Sequence, residues 1–306
     1  MGAGHSHGLS SDRQTGHAGA RFRARLGLAF LLTATFFVVE LGAGLVSGSL
    51  ALLSDAGHMG ADVVALGAAL LATVIASRPD STGRRTFGHY RVEIFASGLA
   101  VLIMLGMGVY VLVEAAGRIG SDAPVATGTM LLVGVLGLII NLISLFLLHS
   151  GSTESLAVRG AYMEVLADAA GSVGVIAAAV LIRLTGSPVW DLVVATAIAV
   201  FIVVRAVVLG RQVLAVLAQH APAGVDPSEV QAGLAALDGV RQLHDLHLWT
   251  LTSGMDVATV HLVVDPDADQ AEILEAARTV LRGHGLEHVT VQIEAEGVVS
   301  CSRPGW

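Results

Sequence analysis

The chain has 306 residues, of which 54% are hydrophobic and only 14% are charged, and its formal net charge is −8 at pH 7. Soluble domains carry about 25% charged residues, so this composition excludes a disordered chain and argues against a soluble enzyme. All 17 basic residues are arginine, which excludes a phosphate-binding GxxxxGK[ST] loop, and the single cysteine excludes an intrachain disulfide.

Charge divides the chain into an apolar part and an acidic part. Residues 1–214 hold 13 arginines against 12 acidic residues, whereas residues 215–306 hold 4 arginines against 13. An acidic domain repels nucleic acid and attracts cations, so we expect no nucleic-acid partner. We predict a disordered, histidine-containing tail over residues 1–21, a membrane domain over 22–214, a soluble domain over 215–296 and a second tail over 297–306.

Six segments of the apolar part are long enough to cross a membrane, which takes about 20 mostly apolar residues in a helix. In chain order they are Leu26–Val46, Leu50–Ala76, Ile94–Val113, Thr129–Leu148, Ala161–Ile182 and Val189–Leu209. The sixth segment contains Arg205, whose side chain we expect to extend towards the membrane surface. We expect membrane lipid to surround these spans. Because their number is even, both termini lie on the same side of the membrane.

The placement of arginine indicates which side is cytoplasmic, because cytoplasmic loops are enriched in basic residues. Arginines precede the first span, lie between the second and third and between the fourth and fifth, and follow the sixth. The loops on the opposite side are poorer in arginine. We therefore expect both termini and the acidic domain to be cytoplasmic.

Two spans carry pairs of ionisable residues, which are costly inside a membrane and mark functional sites. His58 and Asp62 lie four residues apart on one face of the second helix, as do Glu164 and Asp168 on the fifth. If these faces pack together, one imidazole and three carboxylates form a shell for a divalent cation. Metal ligands must lose their protons, so metal entry expels protons and proton entry releases metal.

The acidic part predicts a small α+β domain with the order αββαβ. The predicted elements are a helix over Asp226–Leu237, strands over Leu243–Thr252 and Asp256–Val264, a helix over Asp269–Gly283 and a strand over Val289–Glu294. Within it, His244 and His261 fall on facing strands, and Glu294 ends the third strand.

Several segments resemble the cation diffusion facilitator family in its zinc-exporter type. They are Ser49–Asp62 (SLALLSDAGHMGAD) in the second span, Phe87–Glu93 (FGHYRVE) before the third, and Val158–Ser172 (VRGAYMEVLADAAGS) in the fifth. Val240–Gly254 is similar to the family's C-terminal domain, a small sheet like that of metal chaperones. The resemblance runs from about residue 22 to residue 296.

Membership of this family implies an all-α domain of six membrane helices, a cytoplasmic domain for regulation and dimerisation, and a homodimer. The implied activity is efflux of divalent metal from the cytoplasm by proton antiport across a membrane, which in a bacterium is the inner membrane. The metal is then a substrate rather than a catalytic cofactor, and no enzyme activity is expected. A membrane-embedded metalloenzyme is the rival class, but the chain has no HExxH motif.

The resemblance places the transport site at His58, Asp62, Glu164 and Asp168. Zinc-type members most often have histidine at the position of Glu164, and a shell with more oxygen favours harder ions such as Mn²⁺. We expect Zn²⁺ as the main substrate because a tetrahedral set of nitrogen and oxygen ligands suits it. Mn²⁺, Fe²⁺, Co²⁺ and Cd²⁺ are the alternatives.

The resemblance also implies a regulatory metal site in the cytoplasmic domain. His244, His261 and Glu294 occupy positions where relatives often bind regulatory metal, and His247 and His288 are further candidates. The alternative is that these are ordinary surface histidines. The alternative from another class is a membrane metal sensor or scaffold without transport, which would have no need of acidic groups inside the membrane.

Overall fold

The computed structural model describes residues 12–76, 86–120, 125–149, 156–252 and 254–295. Over these residues the chain forms eight helices and three strands. They are α1 (Asp12–Ser47), α2 (Leu50–Ala76), α3 (Val92–Gly117), α4 (Thr127–His149), α5 (Leu156–Thr185), α6 (Val189–Leu217), α7 (Pro227–Ala235), β1 (Val240–Thr252), β2 (Met255–Val264), α8 (Gln270–Gly283) and β3 (His288–Ala295). Two compact units result, Met1–Ala68 with Leu99–Val208, and Ala69–Gly98 with Leu209–Trp306.

The six predicted spans correspond to α1–α6. Among the described residues, five helices contain a stretch long and apolar enough to cross a membrane, namely α1 and α3–α6. Helix α2 is 27 residues long but carries the ionisable residues of the second span. Many large apolar side chains on these helices are exposed, Val46 and Phe146 among them, as expected for surfaces in contact with lipid.

The predicted N-terminal tail was wrong in its extent. Helical backbone begins at Asp12, so residues 12–21 belong to α1, and residues 1–11 lie outside the described part. The first helical residues include alanine, glutamine and arginine, which are good helix formers. A helix that is already nucleated in the membrane segment extends through such residues at little cost. The predicted C-terminal tail, 297–306, also lies outside the described residues.

Small residues let the helices of the first unit approach closely, as is common in membrane bundles. A Cβ added to Gly134 of α4 would lie 3.1 Å from Ile176 of α5, and one added to Gly137 would lie 2.7 Å from the ring of Phe36 in α1. Near this contact, the Asn141 side-chain amide of α4 donates a hydrogen bond to Ser172 Oγ of α5 (3.3 Å). Helices α1, α4 and α5 are therefore packed tightly around a buried polar interior.

A buried carboxylate of α6 caps the start of α2. Asp191 accepts hydrogen bonds from Ser49 Oγ (2.6 Å), from the Leu50 backbone N–H (2.8 Å) and from the Ala51 backbone N–H (3.2 Å). These N–H groups have no partner within their own helix, and a negative charge at a helix N-terminus is favourable. Asp191 thus joins two helices that are far apart in sequence.

We expect Asp191→Ala to destabilise the fold by about 2–4 kcal/mol, because it leaves buried donors without an acceptor. The measurement is the thermal unfolding midpoint of the purified protein in detergent. The matched control is Glu114→Gln, which breaks a partly exposed ion pair with Arg118 worth about 0–1 kcal/mol. Equal midpoints for the two variants would contradict the role of Asp191.

The C-terminal residues form a three-stranded sheet in the order β1-β2-β3, with β1 and β2 antiparallel and β2 and β3 parallel. The predicted order αββαβ is the observed one. Asp226 caps α7 as predicted, and hydrogen bonds from the Ser228 hydroxyl and N–H hold the pKa of Asp226 below its ordinary value. One face of the sheet packs against α7 and α8 in a core built from Val230, Leu234, Leu248, Ala258, Val260, Leu262, Val264, Ile273, Ala277, Leu281 and Leu286.

Candidate metal sites

Helices α2 and α5 bring three of the four predicted transport ligands together. His58, Asp62 and Asp168 each offer a ligand atom, and these atoms all lie within 4.8 Å of one another. Nδ1 of His58 is 3.8 Å from Oδ2 of Asp62, and Nε2 of His58 is 3.7 Å from Oδ1 of Asp168. The four-residue spacing in α2 puts His58 and Asp62 on one face of that helix, close to Asp168 of α5.

This group is buried and short of hydrogen-bond donors. Nδ1 of His58, Oδ2 of Asp62 and Oδ1 of Asp168 have no hydrogen-bond partner within the described part of the chain. Buried polar atoms in folded proteins nearly always have a partner, so these unpartnered atoms are available to a ligand. A cation satisfies two carboxylates and an imidazole at the same time.

Glu164 lies beside this group without being a member of it. Its carboxylate forms an ion pair with the guanidinium of Arg205 in α6. The same guanidinium lies 3.5 Å from Oδ1 of Asp62 through Nη2, and 3.1 Å from Nε2 of His58 through Nη1. Arg205 is therefore the fifth ionisable side chain of this site.

The expectation that Arg205 extends to the membrane surface was wrong. Its side chain is 26% exposed and turns into the site, because three carboxylates stabilise a guanidinium better than a distant interface does. The sequence contained a signal for this contact that we did not use. Three acids inside a membrane require a compensating charge, and Arg205 is a basic residue within an otherwise apolar stretch of α6.

The second unit contains a separate cluster of His244, His261 and Glu294, with ligand atoms also within 4.8 Å of one another. Nδ1 of His261 lies 3.1 Å from Oε1 of Glu294, and Nε2 of His244 lies 3.4 Å from Oε2 of the same carboxylate. His244 and His261 are paired across β1 and β2, and β3 places Glu294 beside them. The side chain of Glu294 is buried between the two imidazoles.

His247 and His288 do not join this cluster. The register pairs His247 with Thr259 and His288 with Val257, which puts both histidines on the same face of the sheet as His261 but further along the strands. His247 lines a surface cavity with Trp249, and the ring of His288 packs near that of Phe87, 6.1 Å between centroids. The partner of His288 is Val257, which precedes His261 by four residues in β2. Four residues of a strand span roughly 13 Å, so His288 is too far from His261 to share an ion with it.

Comparison with known proteins identifies both parts of the chain. Residues 26–218 match the family of the cation efflux transmembrane domain, and residues 222–296 match the cytoplasmic domain of cation efflux proteins. These two matches together extend over most of the sequence.

Three similar proteins are bacterial metal transporters. The chain is 44% identical to the metal cation efflux system protein CzcD of Cupriavidus metallidurans, over 96% of this chain and 90% of the relative. It is 36% identical to the zinc transporter ZitB of Escherichia coli, over 95% and 92%. It is 31% identical to the cadmium, cobalt and zinc/H(+)-K(+) antiporter of Bacillus subtilis, over 96% and 92%.

The spacing of the motifs, the apolar helices and the two family matches agree with one another. The protein is an integral membrane protein, and its C-terminal residues match the cytoplasmic domain of cation efflux proteins, a family of metal transporters. The chain belongs to the cation diffusion facilitator family of zinc, cobalt and cadmium efflux transporters.

Proposed function

We propose that this transporter exports divalent metal, with Zn²⁺ as its main substrate, from the cytoplasm in exchange for protons. The ion binds between α2 and α5 at His58, Asp62 and Asp168, and Glu164 joins the shell only when it is released from Arg205. The single observation that carries the proposal is the convergence of three ligand atoms within 4.8 Å in a buried site. A sensor without transport has no need of such a site in the membrane.

The charge of the site supports a divalent substrate. When the carboxylates of Asp62, Glu164 and Asp168 are ionised, the guanidinium of Arg205 compensates one of three negative charges. Two negative charges remain, and a divalent cation neutralises them. Protons that occupy the same oxygens achieve the same neutrality, so metal and protons compete for the site. The Bacillus subtilis relative is named as an antiporter that uses H(+), which supports protons as the counter-ion.

The ion pair between Glu164 and Arg205 supports Zn²⁺ as the main substrate over harder ions. While Arg205 holds Glu164, the ligands that remain are one imidazole nitrogen and two carboxylate oxygens. This mixed set suits zinc, and the extra oxygen that would favour Mn²⁺ or Fe²⁺ is engaged elsewhere. The names of the relatives also mention zinc, cobalt and cadmium. Mn²⁺ and Fe²⁺ stay as alternatives for a state in which Glu164 is released.

The direction of transport follows from the topology that we propose. Both termini lie in the cytoplasm, since arginine is concentrated in the loops on that side, and the membrane is the inner membrane of a bacterium. Alternating exposure of the site requires α2 and α5 to move against the other helices. The transporter is a homodimer joined through its cytoplasmic domains, as its family membership implies.

The test is metal uptake into inside-out membrane vesicles under an imposed pH gradient, with the vesicle interior acid. We expect uptake of Zn²⁺ that depends on the gradient and stops when a protonophore collapses it. Binding of Zn²⁺ without any uptake would favour the sensor over the transporter. Uptake that ignores the gradient would contradict proton antiport.

We also propose that His244, His261 and Glu294 bind a regulatory metal ion. The support is geometric, because two imidazoles flank one buried carboxylate. Metal in this acidic domain would reduce the repulsion between two subunits and favour their association. The register leaves His247 and His288 outside this proposal.

His261→Ala is expected to remove the metal bound by the cytoplasmic domain. The measurement is equilibrium metal binding to the purified transporter in an Asp168→Asn background, so that the remaining Zn²⁺ reports on this domain. His220→Ala, which removes an exposed histidine of the same domain, is the matched control. An unchanged metal stoichiometry in His261→Ala would contradict the regulatory site.

A further inference from the structure

A cavity of about 310 Å³ lies in the second unit and shares no described residue with either candidate metal site. Residues just before α3, residues near the end of β1 and one residue that follows α6 line it. The described lining includes one cation, three other polar side chains and two apolar aromatic rings, namely Arg91, Thr86, Tyr90, Gln219, Phe87 and Trp249. No acid is among the described lining residues.

The ends of two membrane helices place this cavity at the membrane surface. Arg91 directly precedes α3, and Gln219 follows α6 by two residues. The four helices from α3 to α6 are each long and apolar enough to cross a membrane, so after four crossings the chain is back on the side where α3 begins. Aromatic rings with a polar group are enriched at this depth, and Phe87 beside them is 46% exposed.

Arg91 is half-buried and has no ion-pair partner among the residues that the structure describes. The nearest acid in the sequence, Glu93, is directed elsewhere, since its Oε2 accepts a hydrogen bond from Thr252 Oγ1 of β1 (3.0 Å). The surrounding domain is acidic, with 13 acids against 4 arginines over residues 215–306. A cavity that presents a guanidinium and no described carboxylate within such a domain favours an anionic ligand.

The lining suits a phosphate group that is attached to an apolar body. A guanidinium binds phosphate through two parallel N–H groups, and the hydroxyls of Thr86 and Tyr90 and the amide of Gln219 are further donors. Phe87 and Trp249 offer apolar surface that a free inorganic anion would leave unused. Anionic phospholipids combine a phosphate with a glycerol backbone and acyl chains, and they attract basic residues at the cytoplasmic surface of a membrane.

We propose that this cavity binds the phosphate headgroup of an anionic phospholipid at the cytoplasmic surface of the membrane. The bound lipid then joins the segment before α3 to β1 at the place where the chain enters the membrane. The cytoplasmic side rests on the proposed topology, whereas lipid binding depends neither on the transported metal nor on the counter-ion.

The fluorescence of Trp249 measures ligand binding in this cavity. The chain has three tryptophans, so Trp190→Phe with Trp306→Phe leaves Trp249 as the single emitter in a full-length parent protein. We expect dioctanoyl phosphatidylglycerol, titrated into this protein in neutral detergent, to change the fluorescence saturably. Dioctanoyl phosphatidylcholine, which has no net charge, and inorganic phosphate, which has no apolar body, should each bind about 10-fold more weakly.

Arg91→Gln should weaken the binding of phosphatidylglycerol about 10-fold, because charge-assisted hydrogen bonds to the phosphate are lost. Arg91→Lys keeps the positive charge and should weaken binding less, which separates loss of the charge from loss of the fold. The matched control is Arg211→Gln, which removes an exposed arginine near the same end of α6 that does not line the cavity. This control should bind the lipid as the parent protein does.

The thermal unfolding midpoint gives a second measurement, because a ligand stabilises the folded state that binds it. Phosphatidylglycerol should raise the midpoint of the parent protein more than that of Arg91→Gln. Equal affinity of Arg91→Gln and the parent for phosphatidylglycerol would overturn the proposal, as would equal affinity of the parent for phosphatidylcholine. Inorganic phosphate that binds as tightly as the lipid would assign the cavity to a soluble anion and would also overturn it.

Discussion

Replacing Asp168 with asparagine is expected to abolish Zn²⁺ uptake driven by a pH gradient. The buried Asp168 carboxylate offers a ligand atom to the site and lies 3.7 Å from His58 Nε2. Asparagine has nearly the same size but removes one negative charge and replaces a carboxylate ligand with a weaker amide oxygen. Since loss of an outer-shell partner alone reduces metal affinity about 10–100-fold, we expect loss of a direct ligand to cost at least as much.

Inside-out vesicles and equilibrium binding measure this effect separately for transport and for affinity. Asp62→Asn should behave in the same way, because Asp62 belongs to the same group of three ligand atoms. Glu114→Gln, which alters an ionisable residue of the membrane domain far from the site in sequence, should transport normally. Uptake that persists in both Asp62→Asn and Asp168→Asn would refute the proposed transport site.

The second large effect is expected at Arg205. Replacing it with glutamine removes the cation that holds Glu164 and contacts Asp62, so a third carboxylate becomes available to the metal. Two unit charges 4 Å apart interact by about 4 kcal/mol at an effective dielectric constant of 20. Partial exposure of Arg205 reduces this energy, and we therefore expect metal to bind about 10–100-fold more tightly. Tighter binding slows release, so the turnover of transport should fall.

Metal competition separates this explanation from a simple loss of structure. Arg205→Gln should shift preference from Zn²⁺ towards Mn²⁺ and Fe²⁺, because the freed Glu164 adds an oxygen ligand. Arg205→Lys keeps the positive charge and should shift it less. Glu164→His should move the metal preference towards Zn²⁺. In the Glu164→His background, Arg205→Gln should change the metal preference less than it does in the wild type, and a double-mutant cycle measures that difference. Additive effects of the two substitutions would contradict a direct contact.

The sequence predicts which residues share a face of a single helix, because that depends only on their spacing. A separation of four residues puts His58 and Asp62 on one face, and the same holds for Glu164 and Asp168. The cost of ionisable groups in lipid then marks these faces as functional. The same kind of local pattern predicted the cap at Asp226 and the order αββαβ, both of which are confirmed. Each of these features depends on residues close together in the chain.

The contacts that sequence reasoning missed all join distant parts of the chain. Arg205 and Glu164 belong to different helices, and Asp191 caps a helix that begins 141 residues earlier. Such contacts depend on how each helix is rotated about its axis and on which helices are neighbours. A membrane helix can carry apolar side chains around its whole circumference. The periodicity of its sequence therefore does not determine how the helix is rotated about its axis.

By itself, the sequence determined the membrane character of the protein, the αββαβ order of its C-terminal domain and the residues that could bind metal, because composition and helical spacing are local properties. The tertiary structure alone decided that Arg205 turns inward to hold Glu164, that Asp191 caps α2, and that His247 and His288 stay apart from His261. These outcomes depend on packing between elements, where a rotation or a shift of register by a few ångströms decides which charges meet.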